Sequence, residues 1–267
     1  MLSRRGSRLD RSRQRWLAAF AGALIFASGA QAVEYVRIPA GTFSSVLASD
    51  ATPGPVAYRA FDMRTHPVTQ GEFQAFVIAN PQWRRDRISR TFADAGYLQN
   101  WRSALVLASD QADRQPVVSV SWFAAQAFCE GEGARLPTWS EWELAAAADV
   151  SRRDAREDPA WRARILSWYA RPATQALPSV AGSPNFYGVG DLHGLIWEWV
   201  DDFSALLVNP DSRSAEDGDK LQFCGAGAIN LQQRENYAVL MRIALLSSLN
   251  ASDSTSTLGF RCVRPIH

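Results

Sequence analysis

Two capping boxes restrict the fold of this chain more than any other feature of its sequence. Thr69 is followed three residues later by Glu72, and Thr138 is followed in the same way by Glu141. In such a pair the threonine side chain accepts from the backbone of the third residue, and the glutamate reaches back to the cap. A helix therefore begins at each place. Asn80 and the proline after it end the first of these helices.

Other helix and strand signals are spread along the rest of the chain. Ser121 and Asp158 are placed as N-caps of two further helices. Residues 35–43 alternate and then turn at Pro-Ala-Gly, which predicts an opening strand. After residue 170 strands and turns are expected to dominate, and 258–263 is predicted to be a final strand. These elements predict an α+β fold with abundant irregular structure.

The N-terminus has the pattern of an export signal. Six of the 28 basic residues and only one of the 27 acidic residues precede residue 33. The apolar stretch 16–28 is shorter than the roughly 20 residues of a membrane-spanning helix, and Ala-Gln-Ala at 30–32 matches a signal-peptidase site. We therefore expect a signal peptide over 1–32 and a single domain over 33–267. An uncleaved amphipathic anchor is the alternative.

Charge and composition argue against several classes of protein. Without residues 1–32, acidic residues outnumber basic ones, which does not suit nucleic-acid binding. No later stretch is apolar enough to span a membrane. The ten tryptophans favour an aromatic-rich interior. We expect a periplasmic location, and Arg4-Arg5 leaves both the Sec and the twin-arginine export routes open.

Three cysteines allow one internal disulfide and leave one thiol over. They are Cys129, Cys224 and Cys262. An oxidising compartment permits a disulfide, and the odd number means that one thiol stays unpaired or pairs outside the chain. The spacings match no CxxC zinc or redox motif, so the residues by themselves leave the pairing open.

Four segments carry a resemblance to a known family. They are V-S-V-S-W at 118–122, R-L-P-T-W-S-E-W-E at 135–143, G-V-G-D-L-H-G-L-I-W-E-W at 188–199 and L-G-F-R-C at 258–262. Their order and spacing resemble the formylglycine-generating enzyme (sulfatase-modifying factor) family over roughly residues 34–264. The resemblance implies the fold of that family, a C-type-lectin-like variant with little regular secondary structure.

The resemblance implies mostly structural roles for the residues of these segments. Arg135 and Glu141 are expected as partners in a buried ionic and hydrogen-bonded knot. Trp197 and Trp199 alternate on a strand and are expected to face the same layer. Glu198 then points the other way, and it needs a hydrogen-bond donor if it is buried.

The resemblance also implies a disulfide. The family pairs a helix cysteine with the cysteine of G-F-R-C, which corresponds to Cys129 and Cys262 here. A pairing that uses Cys224 is the alternative. By chain-entropy arguments, a crosslink that closes so long a loop stabilises the fold by about 4–5 kcal/mol.

The copper site of the active enzymes has no counterpart in this sequence. Those enzymes bind copper(I) through two cysteines five residues apart, and this soft ion favours thiolates. The matching positions fall at Asn230 and Glu235, or near Gln233 and Ala238, and none is a cysteine. Formylglycine formation by the known copper mechanism is therefore not expected. Cys224 is interpreted as an inert buried thiol, with lone copper binding or an intermolecular disulfide as alternatives.

Iron and calcium are not expected either. The iron-dependent branch of the superfamily, the ergothioneine-type sulfoxide synthases, needs clustered histidines, and this chain has only His66, His193 and His267, with no HxxxH spacing. Leu195 stands where the calcium-binding asparagine of the family is expected, which removes an oxygen ligand. The adjacent acids Asp201-Asp202 are interpreted as a surface turn.

Residues 220–242 resemble the exported members of the family that accompany denitrification genes, the NirV-type nitrite-reductase accessory proteins. This resemblance implies a periplasmic accessory or maturation factor for a client protein such as copper nitrite reductase. It also implies a family member that lacks the catalytic activity of the family. One alternative is an oxygen-dependent oxidase that uses a different site on a peptide or siderophore. The other is a non-catalytic, lectin-like ligand-binding module.

A binding pocket is predicted within the same stretch. Its polar side chains at a turn suit recognition of a peptide or an anion, and a solvated loop is the alternative. The predicted pocket residues are Cys224, Asn230, Arg234, Glu235, Asn236, Tyr237 and Arg242.

Overall fold

A computed structural model of the protein describes residues 34–47, 54–169, 177–206 and 237–266. The signal peptide predicted for residues 1–32 lies outside the described residues. Within the described ranges, no helix combines the length and the apolarity needed to cross a bilayer. The fold is α+β, and short elements are joined by long irregular segments.

The described strands and helices are short. Single turns of 3-10 helix lie at Pro81–Trp83, Ala112–Arg114 and Phe203–Ala205. The strands are β1 (Tyr35–Ile38), β2 (Gly41–Phe43), β3 (Val56–Tyr58), β4 (Phe61–Arg64), β5 (Trp197–Glu198), β6 (Leu258–Gly259) and β7 (Val263–Pro265). The helices are α1 (Gln70–Ala79), α2 (Trp122–Gly131), α3 (Trp139–Ala146), α4 (Pro159–Tyr169) and α5 (Tyr237–Ser247).

The strands form three small sheets. β4 is the centre of a three-stranded antiparallel sheet, with β1 on one side and β7 on the other. In its registers Ile38 lies opposite Phe61, and Met63 lies opposite Val263. β2 and β3 form an antiparallel pair, and β5 and β6 pair in parallel. The predicted opening strand is thus divided into β1 and β2 by its Pro-Ala turn.

The predicted helix starts are confirmed. The Thr69 hydroxyl accepts from the Glu72 amide at 3.2 Å, while the Glu72 carboxylate accepts from the Thr69 amide at 2.8 Å. Thr138 begins α3 through the same pair of hydrogen bonds. Ser121 caps α2, and the Asp158 carboxylate accepts from the Ala160 amide at 2.7 Å at the start of α4.

Two predictions for the C-terminal part were wrong. The final strand expected over 258–263 is two strands, β6 and β7, in different sheets. The chain changes partner between them because the carbonyl groups of Phe260 and Cys262 accept from Val68 at 2.9 Å and Arg64 at 3.0 Å. In addition, 237–247 is a helix rather than strand and turn. It buries Val239, Ile243 and Leu246 on one face, at the spacing of successive helical turns.

The disulfide Cys129–Cys262 is present, as the resemblance implies. Its Cα atoms are 5.5 Å apart, it joins residues separated by 133 positions, and both cysteines are fully buried. It lies within the main core, beside the packed rings of Phe73, Phe128 and Phe260, whose centroids are 5.4–6.0 Å apart. The crosslink therefore ties α2 to the segment that leads into β7.

Candidate functional site

A fully buried ion pair lies at the centre of the site region. The Arg261 guanidinium donates to both carboxylate oxygens of Glu198 at 2.8 Å, and both side chains are 0% exposed. The Trp142 indole donates to the same carboxylate at 2.8 Å. Arg261 also donates to the carbonyl groups of Gly190 at 3.0 Å and Arg64 at 3.2 Å. The prediction that a buried Glu198 needs donors is confirmed.

The two tryptophans on either side of Glu198 are also at least half-buried. Trp199 is fully buried, and its indole donates to the Val120 carbonyl at 2.9 Å. Trp197 is half-buried and packs on Trp168, with ring centroids 5.7 Å apart. The two tryptophans therefore reach different depths of the structure.

The second predicted ion pair forms but is only partly buried. Arg135 donates to the two carboxylate oxygens of Glu141 at 2.6 and 2.7 Å. The side chains keep 33% and 14% of their surface exposed, so the predicted ionic and hydrogen-bonded pair is present but less buried than expected. The reason is position: Glu141 closes the capping box at the start of α3, where it accepts from the Thr138 amide at 2.9 Å.

The pocket predicted in 220–242 falls mostly outside the described residues. Only its last two members are within the described ranges, and Tyr237 is the first residue of α5. The prediction for this pocket therefore stays a prediction. The members outside the described ranges are Cys224, Asn230, Arg234, Glu235 and Asn236.

Arg242 lies in the middle of α5 instead of at a turn. Its side chain is 1% exposed, and its guanidinium carbon lies 3.6 Å from the centre of the Trp142 ring. One guanidinium nitrogen donates to the Glu198 carbonyl group. A buried arginine needs such partners, because an unpaired buried charge is strongly unfavourable. Arg242 thus connects α5 to the buried ion pair.

The residues present do not fit the copper site of the active enzymes. The disulfide takes up Cys129 and Cys262, and the chain has three cysteines in all. The remaining one, Cys224, cannot supply two thiolates. Among the residues that the structure describes, no group of three or more His, Cys, Asp or Glu side chains is arranged to hold a metal ion.

A cavity of about 380 Å³ lies between the end of α3, α4 and the loop 183–194. Trp161, Ile165 and Trp168 of α4 line it. Tyr237 and Arg242, the two predicted pocket residues that the structure describes, are not part of the lining. The loop contributes Asp191 and His193. This part of the site was missed from the sequence, where the histidines were considered only as iron ligands. The available signal was an acid and an imidazole two positions apart before a tight glycine turn.

His193 is a neutral imidazole held between aromatic rings. Its centroid lies 5.5 Å from that of Trp142 and 5.6 Å from that of Trp161. Its Nε2 lies 2.9 Å from the Ala146 carbonyl oxygen, which can only accept, so Nε2 carries the hydrogen. Burial, with smaller effects from Arg242 and Arg261, lowers the pKa of His193 to about 4. Its Nδ1 therefore keeps a lone pair, and no described residue forms a hydrogen bond with it.

Asp191 is held in place by two hydrogen bonds to one of its carboxylate oxygens. Its Oδ2 accepts from His66 Nδ1 at 2.9 Å and from the Gly182 amide at 3.1 Å. Burial by itself would raise the pKa of Asp191, but these hydrogen bonds outweigh burial and lower it. Its backbone has a φ of 60°, in the left-handed region. A Cβ at residue 182 would lie 2.2 Å from Asp191 Oδ1, so only glycine fits there.

Comparison with known proteins identifies the family. Residues 23–266 match the model of the sulfatase-modifying factor enzyme 1-like domain. The chain therefore belongs to the sulfatase-modifying factor family, to which the formylglycine-generating enzymes belong. Cys262 of the disulfide and both residues of the buried ion pair, Glu198 and Arg261, lie in the segments through which the sequence resembles that family.

Individual relatives differ in how much of their length they share with this chain. The formylglycine-generating enzyme of Streptomyces coelicolor is 30% identical over 279 residues, which cover 85% of this chain and 88% of that protein. The hercynine oxygenase of Mycobacterium tuberculosis is 32% identical over 158 residues, or 53% of this chain and 37% of that protein. Among solved structures, PvdO from Pseudomonas aeruginosa is 19% identical with a TM-score of 0.47, covering 87% of this chain and 94% of PvdO.

Proposed function

We propose that the protein is an exported accessory factor that retains the scaffold of the sulfatase-modifying factors without their copper chemistry. The observation that carries this proposal is the cysteine inventory. Two of three cysteines form a buried disulfide, so one thiol remains where the copper enzymes need two. The core of the scaffold is stabilised by the buried pair Glu198–Arg261 and by the disulfide.

A direct assay tests the loss of formylglycine formation. The purified protein is incubated with copper(I), oxygen and a cysteine-containing sulfatase peptide, and the peptide mass is measured. We expect no conversion to the aldehyde, while the Streptomyces coelicolor enzyme, assayed in parallel, converts the peptide. Conversion that survives Cys224→Ser, with the disulfide intact, would show that the chain carries out the reaction through another site.

Within this proposal, the client is a periplasmic protein, and copper nitrite reductase is the first candidate. The resemblance of residues 220–242 to the nitrite-reductase accessory branch supports it. In a strain that contains both genes, deletion of this gene should lower the copper content of purified nitrite reductase, and the full-length gene should restore it. Fully copper-loaded nitrite reductase in the deletion strain, together with no binding between the purified proteins, would exclude this client.

A second candidate function is an oxygen-dependent oxidation at a different site. The similarity to a hercynine oxygenase over 53% of this chain favours it. Oxygen consumption is measured with a panel of peptides and catechol-type siderophores, with and without added iron or copper. Uptake that depends on both substrate and metal would support an oxidase, whereas no uptake across the panel leaves the accessory role as the better account.

A further inference from the structure

Three ionisable side chains among the residues that line the cavity beside α4 have bonding capacity that is unused within the described part of the chain. The unused groups are the Oδ1 of Asp191, the Nδ1 of His193 and the guanidinium of Arg164. The other carboxylate of the lining, Asp149, is already occupied: its oxygens accept from Ser151 and from Arg152 at 2.8 Å. The unused groups therefore define what a ligand would have to supply.

These three groups differ in polarity and in depth. Asp191 has only 10% of its side chain exposed, and the Nδ1 of His193 is buried. Both are acceptors, since the imidazole is neutral and its other nitrogen carries the hydrogen. Arg164 is exposed and can only donate. The cavity thus presents acceptors in its interior and a positive charge at its edge.

Most of the remaining lining is apolar. Trp161 and Ile165 of α4 and Leu192 of the loop are buried side chains that line the space. A volume of about 380 Å³ lies at the lower end of the ~300–1,000 Å³ that is usual for small-molecule sites. A small ligand with an apolar body fits this lining better than a polar chain would.

We propose that this cavity binds a free α-amino acid with an apolar side chain. Its ammonium group donates to Asp191 Oδ1 and to the Nδ1 of His193, and its carboxylate accepts from Arg164. The side chain packs on Trp161 and Ile165. A zwitterion satisfies all three unused groups, whereas a simple amine leaves the arginine unpaired and a simple acid leaves the carboxylate unpaired. This site does not depend on the proposed accessory role.

Calorimetry with three matched ligands tests the zwitterion requirement. The probes are L-leucine, 3-methylbutylamine, which lacks the carboxylate, and 4-methylpentanoate, which lacks the amine. We expect L-leucine to bind the full-length mature protein about tenfold or more tightly than either analogue, since each analogue lacks one charge-assisted contact. L-phenylalanine tests how large an apolar side chain the cavity accepts.

Two variants assign the contacts. Arg164→Gln should weaken L-leucine about tenfold and leave 3-methylbutylamine unchanged. Asp191→Asn should weaken L-leucine and 3-methylbutylamine and leave 4-methylpentanoate unchanged, and asparagine tolerates the left-handed backbone at this position. Arg90→Gln removes a charge from an exposed residue that does not line the cavity, so it should change nothing.

Several results would overturn the proposal. One is the absence of heat for every ligand at millimolar concentration with a folded wild-type protein. Another is an Arg164→Gln effect of the same size on L-leucine and on 3-methylbutylamine, because a contact with the carboxylate cannot act on the amine. Equal binding of the three ligands to the wild type would also contradict it.

Discussion

Two arginine–glutamate pairs of nearly the same geometry differ in burial: one is fully buried and the other is partly exposed. Arg261 contacts both oxygens of Glu198 at 2.8 Å, and Arg135 contacts both oxygens of Glu141 at 2.6 and 2.7 Å. The first pair has no exposed surface, while the second keeps 33% and 14% of its side-chain surface exposed. The two regions meet at a backbone bridge between Arg135 and Val263, two residues after Arg261.

The difference shows that contact geometry alone does not determine how much the loss of one partner of an ion pair lowers the free energy of unfolding. If one partner of the buried pair is removed, the other is left as a charge without water, which costs several kcal/mol. If one partner of the partly exposed pair is removed, water can reach the other, and ion pairs at the surface typically contribute about 0–1 kcal/mol. The Glu198 side chain has a third donor in Trp142, so its surroundings are built around the charge.

The largest expected effect comes from the disulfide that anchors the buried region. Replacing Cys129 and Cys262 together by alanine should lower the free energy of unfolding by about 4–5 kcal/mol, because a long loop is no longer closed in the unfolded chain. Denaturant unfolding of oxidised wild type, reduced wild type and the double variant measures it. A loss below about 1 kcal/mol would show that the core holds the final segment without the crosslink.

Breaking the buried pair should have a nearly equal effect. Arg261→Met keeps most of the volume but leaves the Glu198 carboxylate buried without its ion partner, so we expect a loss of about 3–5 kcal/mol. The double variant Arg261→Met with Glu198→Leu separates charge from packing, since it should recover much of that loss. If Arg261→Met has the same free energy of unfolding as the wild type, the buried pair does not contribute more to stability than the partly exposed pair.

The pH dependence of stability tests the buried region around Glu198 and Arg261 without changing either residue of that ion pair. An unfolded histidine has a pKa near 6.5, whereas burial holds that of His193 at about 4. Between these values the unfolded chain binds the extra proton, so stability falls as pH drops from 6.5 towards 4. His193 should account for about 2–3 kcal/mol of this fall.

His193→Gln provides the comparison for this pH effect. The amide nitrogen of glutamine can still donate to the Ala146 carbonyl, but it does not titrate. The difference in unfolding free energy between pH 7.5 and pH 4.5 should therefore shrink in the variant. Equal differences in the two proteins would mean that His193 titrates normally in the folded state.

The smallest effect is expected at the partly exposed pair, Arg135–Glu141. Arg135→Met should cost about 0.5–1 kcal/mol, since Glu141 keeps its capping contacts with Thr138 and gains water. High salt should weaken the contribution of this pair and leave that of the buried pair almost unchanged. A loss as large as that of Arg261→Met would remove the distinction between the two regions.

The local signals of the fold were readable from the sequence because their causes are local. Thr69, Ser121, Thr138 and Asp158 cap helices through residues two or three positions away, and all four were predicted. The apolar face of α5 also has helical spacing, but its stretch was read through the resemblance as a turn with a pocket. The division of 258–263 could not be predicted, because it depends on hydrogen bonds to the distant segment 64–68.

The site was less predictable because its parts come together only in the folded chain. Arginine is rarely buried, and the burial of Arg242 depends on the ring of Trp142, which is distant in the sequence. Asp191 and His193 of one loop meet Arg164 of α4 around one cavity. The family resemblance led to the disulfide and to the buried Glu198, but it directed the search for a pocket elsewhere.

The arrangement of the central sheet has a consequence for when the protein can fold. β4 receives one neighbour, β1, from the residues just before it, and the other, β7, from residues 263–265. Arg261 reaches the Arg64 carbonyl across 197 positions. During synthesis this edge of β4 therefore lacks its partner strand until residues 263–265 have left the ribosome. Such long-range closure slows folding.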